Sequence, residues 1–118
     1  MSTVRIGVLG AARIAPPALI QPARVLDGVQ VVAIAARDRN RAASFAAKHG
    51  IPTVHNSYDA LLADPTIDAI YNPLPNGLHG RWTIAALHAG KHVLCEKPFT
   101  ANADEAEAVA QIARGTGL

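Results

Sequence analysis

Lys97, held between Glu96 and Pro98 just past the apolar run His92–Cys95, is the side chain of this 118-residue chain best suited to chemistry. A lysine at the carboxyl end of a strand can hydrogen-bond a substrate hydroxyl or carbonyl oxygen. It can stabilise negative charge that develops during hydride transfer, or relay a proton. Alone, Lys97-Pro98 would read as an exposed lysine in a proline turn; the Lys-Pro bond is also a plausible cis bond that fixes the lysine's direction. Near the other end of the chain, Gly10-Ala11-Ala12-Arg13-Ile14-Ala15 directly follows an apolar run. Written as G-x-G-x-x-G/A, it keeps the first glycine and the permitted final alanine but carries Ala12 in place of the middle glycine, where backbone approaches a pyrophosphate. Gly10, Ala11, Ala12, Arg13 and Ile14 are the candidate phosphate contacts. In an open parallel sheet, ligands bind outside the carboxyl ends of the strands. The glycine turn and Lys97 would then face one crevice, a pairing that points to nicotinamide redox chemistry.

Two further segments fit that crevice. The second apolar run ends Ala35-Ala36-Arg37-Asp38. An acid near this point suits the ribose 2′-hydroxyl of NAD, whereas an arginine accommodates the 2′-phosphate of NADP. Arg37 at the strand tip favours NADP, with Arg41 one turn on adding charge. Asp38 leaves NAD open, because it can be either a ribose acid or a helix cap. The segment Tyr71-Asn72-Pro73-Leu74-Pro75-Asn76-Gly77-Leu78-His79 follows the fourth apolar run. Pro73, Leu74, Asn76 and His79 could lie along the nicotinamide ribose. For Asn76 and His79, helix capping and local packing explain the residues equally well. No metal is expected, since the histidines show no ligand spacing with each other or with carboxylates. Cys95 reads as a strand residue rather than a nucleophile, because no basic partner is evident.

The elements that must position these residues alternate. Strands are expected at Val4–Leu9, Val31–Ala35, Thr53–Val54, Ala69–Tyr71 and His92–Cys95. A turn at Ala12–Ala15 precedes a helical region that starts near Pro16, since Pro16 and Pro17 are tolerable only in a first turn. A helix over Asn40–His49 would set Ala42, Phe45, Ala46 and His49 on one face and stop at Gly50. Ser57 caps a short helix through Leu62. Asn76 is expected to cap a helix whose apolar stripe is Leu78, Trp82, Ala85, Ala86 and Ala89, ended by Gly90. Asn102 with Glu105 resembles a capping box, opening a helix that Gly115 would end. Strict alternation implies right-handed βαβ crossovers. The expected fold is α/β, a Rossmann-type doubly wound parallel sheet of about five strands in three α/β/α layers, occupying residues 1–118 as one domain.

Half of the residues are apolar and 17% are charged, which fits a globular core. A net charge of +2 is too small to suggest nucleic acid. The stretch Met1–Ile6 lacks a signal-peptide pattern, and no apolar run approaches the ~20 residues of a membrane span. With a single cysteine, a cytoplasmic location is expected.

The blocks Gly7–Ala15, Ala36-Arg37-Asp38, Asn72–His79 and Ala89–Pro98 together resemble the amino-terminal domain of the Gfo/Idh/MocA oxidoreductases. The Asn72–His79 wording is similar to the branch of dihydrodiol dehydrogenases and NADP-dependent D-xylose dehydrogenases. The resemblance covers essentially the whole sequence. It implies a Rossmann domain, NAD(P), oxidation of a sugar or related alcohol, a substrate contact at Lys97, and Glu96 and Pro98 framing the nicotinamide pocket. It also implies a C-terminal α/β domain that supplies the substrate pocket and the lysine's partner, which these residues do not include. Three readings follow: the cofactor half of such an enzyme, without turnover by itself; one chain of a split enzyme; or a stand-alone dinucleotide-binding module. The unpaired sheet edge of such a half would favour homo-oligomers.

Overall fold

Alternate residues of the first strand serve opposite sides of a sheet. In the computed structural model, which describes residues 3–118, β1 (Val4–Leu9) sends Leu9 into one apolar cluster and Val8 into another. Met1 and Ser2, the start of the stretch read above for a leader, lie outside the described residues. The other strands are β2 (Val29–Ala35), β3 (Thr53–Val54), β4 (Ala69–Asn72) and β5 (His92–Cys95). All pair in parallel in the order β3-β2-β1-β4-β5. Parallel neighbours need crossovers, and helices supply each one. A π-helical turn (Pro16–Ile20) running into α1 (Gln21–Arg24) joins β1 to β2, and α2 (Arg39–His49) joins β2 to β3. α3 (Tyr58–Leu62) and α4 (Asn76–His88) join the strands on the other side, and α5 (Ala103–Thr116) packs on α4.

Both sheet faces are therefore covered. One core holds Leu9, Leu61, Leu62, Ile70 and Ala86 beneath α3 and α4. The second holds Val8, Leu19, Ile34, Ala46 and Tyr71 beneath the first helical segment and α2. The strand order turns back on itself between β1 and β4, which sets the switch point where their carboxyl ends part.

Local signals placed most boundaries. Ser57 accepts from the Ala60 amide at 3.0 Å, and Asn102 from the Glu105 amide at 2.8 Å. Gly50 and Gly90 sit at φ 70° and 80° as stops. The helical region does begin at Pro16, after a turn closed by the Ala15 amide on the Ala12 carbonyl at 3.2 Å. Three expectations fail. Asn76 does not cap α4: Pro75 takes that position without a side-chain bond, and Leu78 donates to the Pro75 carbonyl at 2.8 Å, so the helix begins one residue earlier. Gly115 lies inside α5, and Gly117 at φ 74° ends it. Ala89 is exposed, because it follows the last helical residue; the buried face of α4 is His79, Gly80, Thr83, Ala86 and Leu87. Smaller differences are that β2 starts at Val29 and α2 at Arg39.

Candidate functional site

A cleft of about 750 Å³ opens at the carboxyl ends of β1, β2 and β4, at the switch point. Its floor begins at Gly10. That residue has φ 84°, and its amide donates to the Ala35 carbonyl at 2.6 Å, tying the turn to the tip of β2. A Cβ here would stand 3.0 Å from Leu74 Cδ2. Only glycine meets both demands without strain. Ala11 and Ala12 continue the wall, and Arg41 donates from Nη2 to the Ala11 carbonyl at 3.2 Å. The Arg41 guanidinium thus braces the turn from α2 while standing at the cleft itself.

The second wall comes from β2. Asp38 accepts from the amides of Asn40 and Arg41 at 2.9 and 3.3 Å, which makes it the N-cap of α2. Both of these bonds use Oδ1, so the cap fixes the carboxylate at the head of α2. Arg37 lines the cleft and is exposed. Tyr58 of α3, which sequence reasoning passed over, lines the cleft with it. Its ring meets Trp82 edge-on at 4.9 Å. Burial raises its phenol, against the opposing pull of Arg37. Its signal was available: an aromatic with a polar tip one residue after the Ser57 cap. Pro73 and Leu74 close the third side.

The predicted residues therefore fall into two groups. Gly10, Ala11, Ala12, Arg37, Arg41, Pro73 and Leu74 line one cleft. Arg13 and Ile14 are exposed on the turn outside it. Asn76 is exposed at the start of α4. Glu96, Lys97 and Pro98 follow β5 on the same sheet end, past β4, and Lys97–Pro98 is cis. Lys97 is exposed.

His79 is 1% exposed, and its Nδ1 lies 2.6 Å from the Pro98 carbonyl. Asn72, fully buried, donates from Nδ2 to the His79 carbonyl at 3.2 Å and to Thr83 Oγ1 at 3.1 Å, and its Oδ1 accepts from Leu74 at 3.3 Å. Tyr71 donates to Glu96 Oε2 at 3.0 Å. Burial, then that carboxylate, raises the Tyr71 phenol. Burial likewise raises the Cys95 thiol, as suits a strand residue rather than a nucleophile.

This arrangement of sheet, glycine turn and switch-point cleft defines a dinucleotide-type α/β domain. The profile of the oxidoreductase family with an NAD-binding Rossmann fold, GFO_IDH_MocA, matches residues 4–118, and the chain belongs to that family. It is 50% identical over 112 residues to a D-xylose 1-dehydrogenase (NADP(+)) of Haloferax volcanii, covering 95% of this chain and 34% of that protein. It is 45% identical over 89 residues to the trans-1,2-dihydrobenzene-1,2-diol dehydrogenase of Sus scrofa, covering 75% of this chain and 27% of that protein. A 3-ketoreductase from Actinomadura kijaniata, solved with TDP-benzene and NADP, superposes with a TM-score of 0.91 at 41% identity. That match covers 99% of this chain and 37% of the ketoreductase. The chain thus spans about a third of the length of these relatives. Among the described residues, no helix is long and apolar enough to cross a membrane.

Proposed function

We propose that residues 1–118 form a dinucleotide-binding domain that takes NADP in preference to NAD. In this reading it serves an oxidoreductase that moves hydride between the nicotinamide and a sugar or related alcohol. The observation that carries the reading is the single cleft joining the Gly10 turn, the Arg37 strand tip and the Pro73–Leu74 loop at the switch point. The residues fit the group: the left-handed Gly10 leaves its turn free of a Cβ, and Asp38 is committed to capping α2.

Gly10, Ala11 and Ala12 would hold the pyrophosphate through backbone and small side chains, with Arg41 keeping Ala11 in place. Arg37 would fork onto the 2′-phosphate. Pro73 and Leu74 would flank the chain of the nucleotide toward β5. The bound nicotinamide supplies or accepts the hydride. Lys97, exposed at the end of β5, would donate a hydrogen bond to the substrate oxygen and stabilise its developing charge. Arg13, Ile14, Asn76, Glu96 and Pro98 stand outside the cleft and would act from its rim, and the buried His79 would act through its bond to Pro98.

The alcohol substrate is supported by the relatives, whose names include a D-xylose dehydrogenase and a dihydrodiol dehydrogenase. Their greater length supports binding without turnover by these 118 residues alone. We place the chain in the cytoplasm on its single cysteine. Self-association through β5 is supported by Leu94 and Phe99, 58% and 43% exposed beside that edge strand. Calorimetric titration with NADPH and then NADH tests the cofactor reading. It predicts saturable binding of both, tighter for NADPH. Equal affinity for the two refutes the 2′-phosphate contact, and no heat with either refutes the domain's binding function.

A further inference from the structure

Lys97 is exposed, yet both of its neighbours are tied down from inside the protein. On one side, Glu96 is held twice. Its amide donates to the Asn72 carbonyl at 3.0 Å, and its carboxylate accepts from Tyr71 Oη at 3.0 Å. On the other side, the Pro98 carbonyl lies 2.6 Å from His79 Nδ1. A carbonyl only accepts, so Nδ1 carries the hydrogen. Tyr71 and His79 are 2% and 1% exposed. They come from opposite faces of the sheet. Tyr71 packs with Val8 and Leu19 on one, and α4, which carries His79, packs Trp82 and Ala86 on the other.

His79 is itself oriented. Asn72 grips its carbonyl and the Thr83 hydroxyl one turn further on, fixing the first turns of α4 beneath the loop. Among the described residues, its Nε2 is buried without a protein partner. A histidine buried for packing alone would gain nothing from that orphaned nitrogen, and a leucine would fill the space without the cost of desolvating it. The bond to Pro98 is therefore the one polar return on burying this ring.

We infer that Tyr71 and His79 are positioning residues for Lys97. They clamp Glu96 and Pro98 from the two faces of the sheet, so that the Lys97 backbone between them is fixed and its side chain leaves the sheet's carboxyl edge from one place. The inference rests on the cofactor reading only for what Lys97 points at; the clamp itself is a property of the unliganded chain.

Two readouts on the 118-residue chain test it. The first is exchange of the Glu96 amide in the absence of nucleotide. Tyr71→Phe and His79→Leu should each speed it about fivefold or more, the equivalent of one hydrogen bond, while the Gly10 amide in the β1 turn keeps its rate. His79→Asn, whose amide can donate from near the Nδ1 position, should stay within about twofold of the parent. The second is acylation of Lys97, located by peptide mass spectrometry, with and without NADPH. NADPH should slow it in the parent and less so in Tyr71→Phe and His79→Leu.

Parental exchange at Glu96 in both variants would overturn the clamp. So would a uniform rise that includes Gly10, since the two side chains would then serve only general stability. If NADPH does not affect Lys97 acylation in the parent while Glu96 exchange still rises in the variants, the clamp stands and the cofactor reading fails.

Discussion

The two ends of the proposed site are built by different means. At the Gly10–Arg37 end, position is set by backbone geometry and exposed side chains. Gly10 supplies φ 84°, Asp38 caps the helix that follows it, and Arg41 reaches back to the Ala11 carbonyl. At the Lys97 end, the loop is held by polar side chains that are themselves buried. Tyr71 lies 25 residues from Glu96, and His79 lies 19 from Pro98. A binding end needs a permissive surface against which phosphates settle. A reacting end needs one atom aimed, and aiming calls for fixed side chains behind it.

Gly10→Val should break the first end outright. The left-handed backbone and the 3.0 Å approach to Leu74 would together cost about 2–4 kcal/mol, and nucleotide binding should vanish from a calorimetric trace. Glu96 amide exchange relative to the global opening rate should not change. Asn72→Ala attacks the second end. It strips the buried partners from Leu74, His79 and Thr83 and should lower stability by about 2–3 kcal/mol in urea unfolding. A loss as small as that of a surface substitution would mean that the network does not hold the loop.

Arg37→Asp sharpens the contrast without disturbing the fold. NADPH affinity should fall about tenfold to a hundredfold, NADH affinity should hold or rise, and the urea midpoint should not move. Selectivity that does not change would remove Arg37 from the 2′-phosphate. The smallest effect lies away from both ends. The Thr66 hydroxyl and amide, and then His55, hold the Asp64 carboxyl down from 3.8 to about 2. A carboxyl lowered in the folded state stabilises it above its unfolded pKa and loses that contribution as pH falls. Stability should therefore drop between about pH 4 and pH 2, and Thr66→Ala should flatten that drop when unfolding midpoints are compared.

The same division decides what can be read from the sequence. β1 to β5, the Ser57 and Asn102 caps, and the Gly50 and Gly90 stops depend on a few adjacent residues, so pattern alone places them, whereas Asp38 is read as cap or ribose acid until its two amide bonds are seen. Where the pattern offers two adjacent choices it fails. Asn76 looks like a cap but follows Pro75, whose carbonyl already starts the helix. Gly115 and Gly117 both look like stops, and the helix takes the later one. The cleft residues Gly10, Arg37 and Pro73 are legible because strand tips of a parallel sheet converge. Lys91 shows what is not legible: it is 7% exposed and donates at 2.7 Å to the carbonyls of both Asp64 and Ile67. Its position after Gly90 gives no hint of that. The ties from Tyr71 to Glu96 and from His79 to Pro98 are hidden for the same reason, since their partners lie 25 and 19 residues further along the chain.

The central claim is that one nucleotide spans both ends, with its 2′-phosphate at Arg37 and its nicotinamide at Lys97. Backbone amide NMR of the labelled chain, titrated with NADPH and compared with NADH, tests this directly. The account predicts shifts at Gly10–Ala12 and at Glu96–Lys97 with either nucleotide, and an added shift at Arg37 and Tyr58 with NADPH alone. Shifts confined to one end, or an Arg37 response indifferent to the 2′-phosphate, would contradict it.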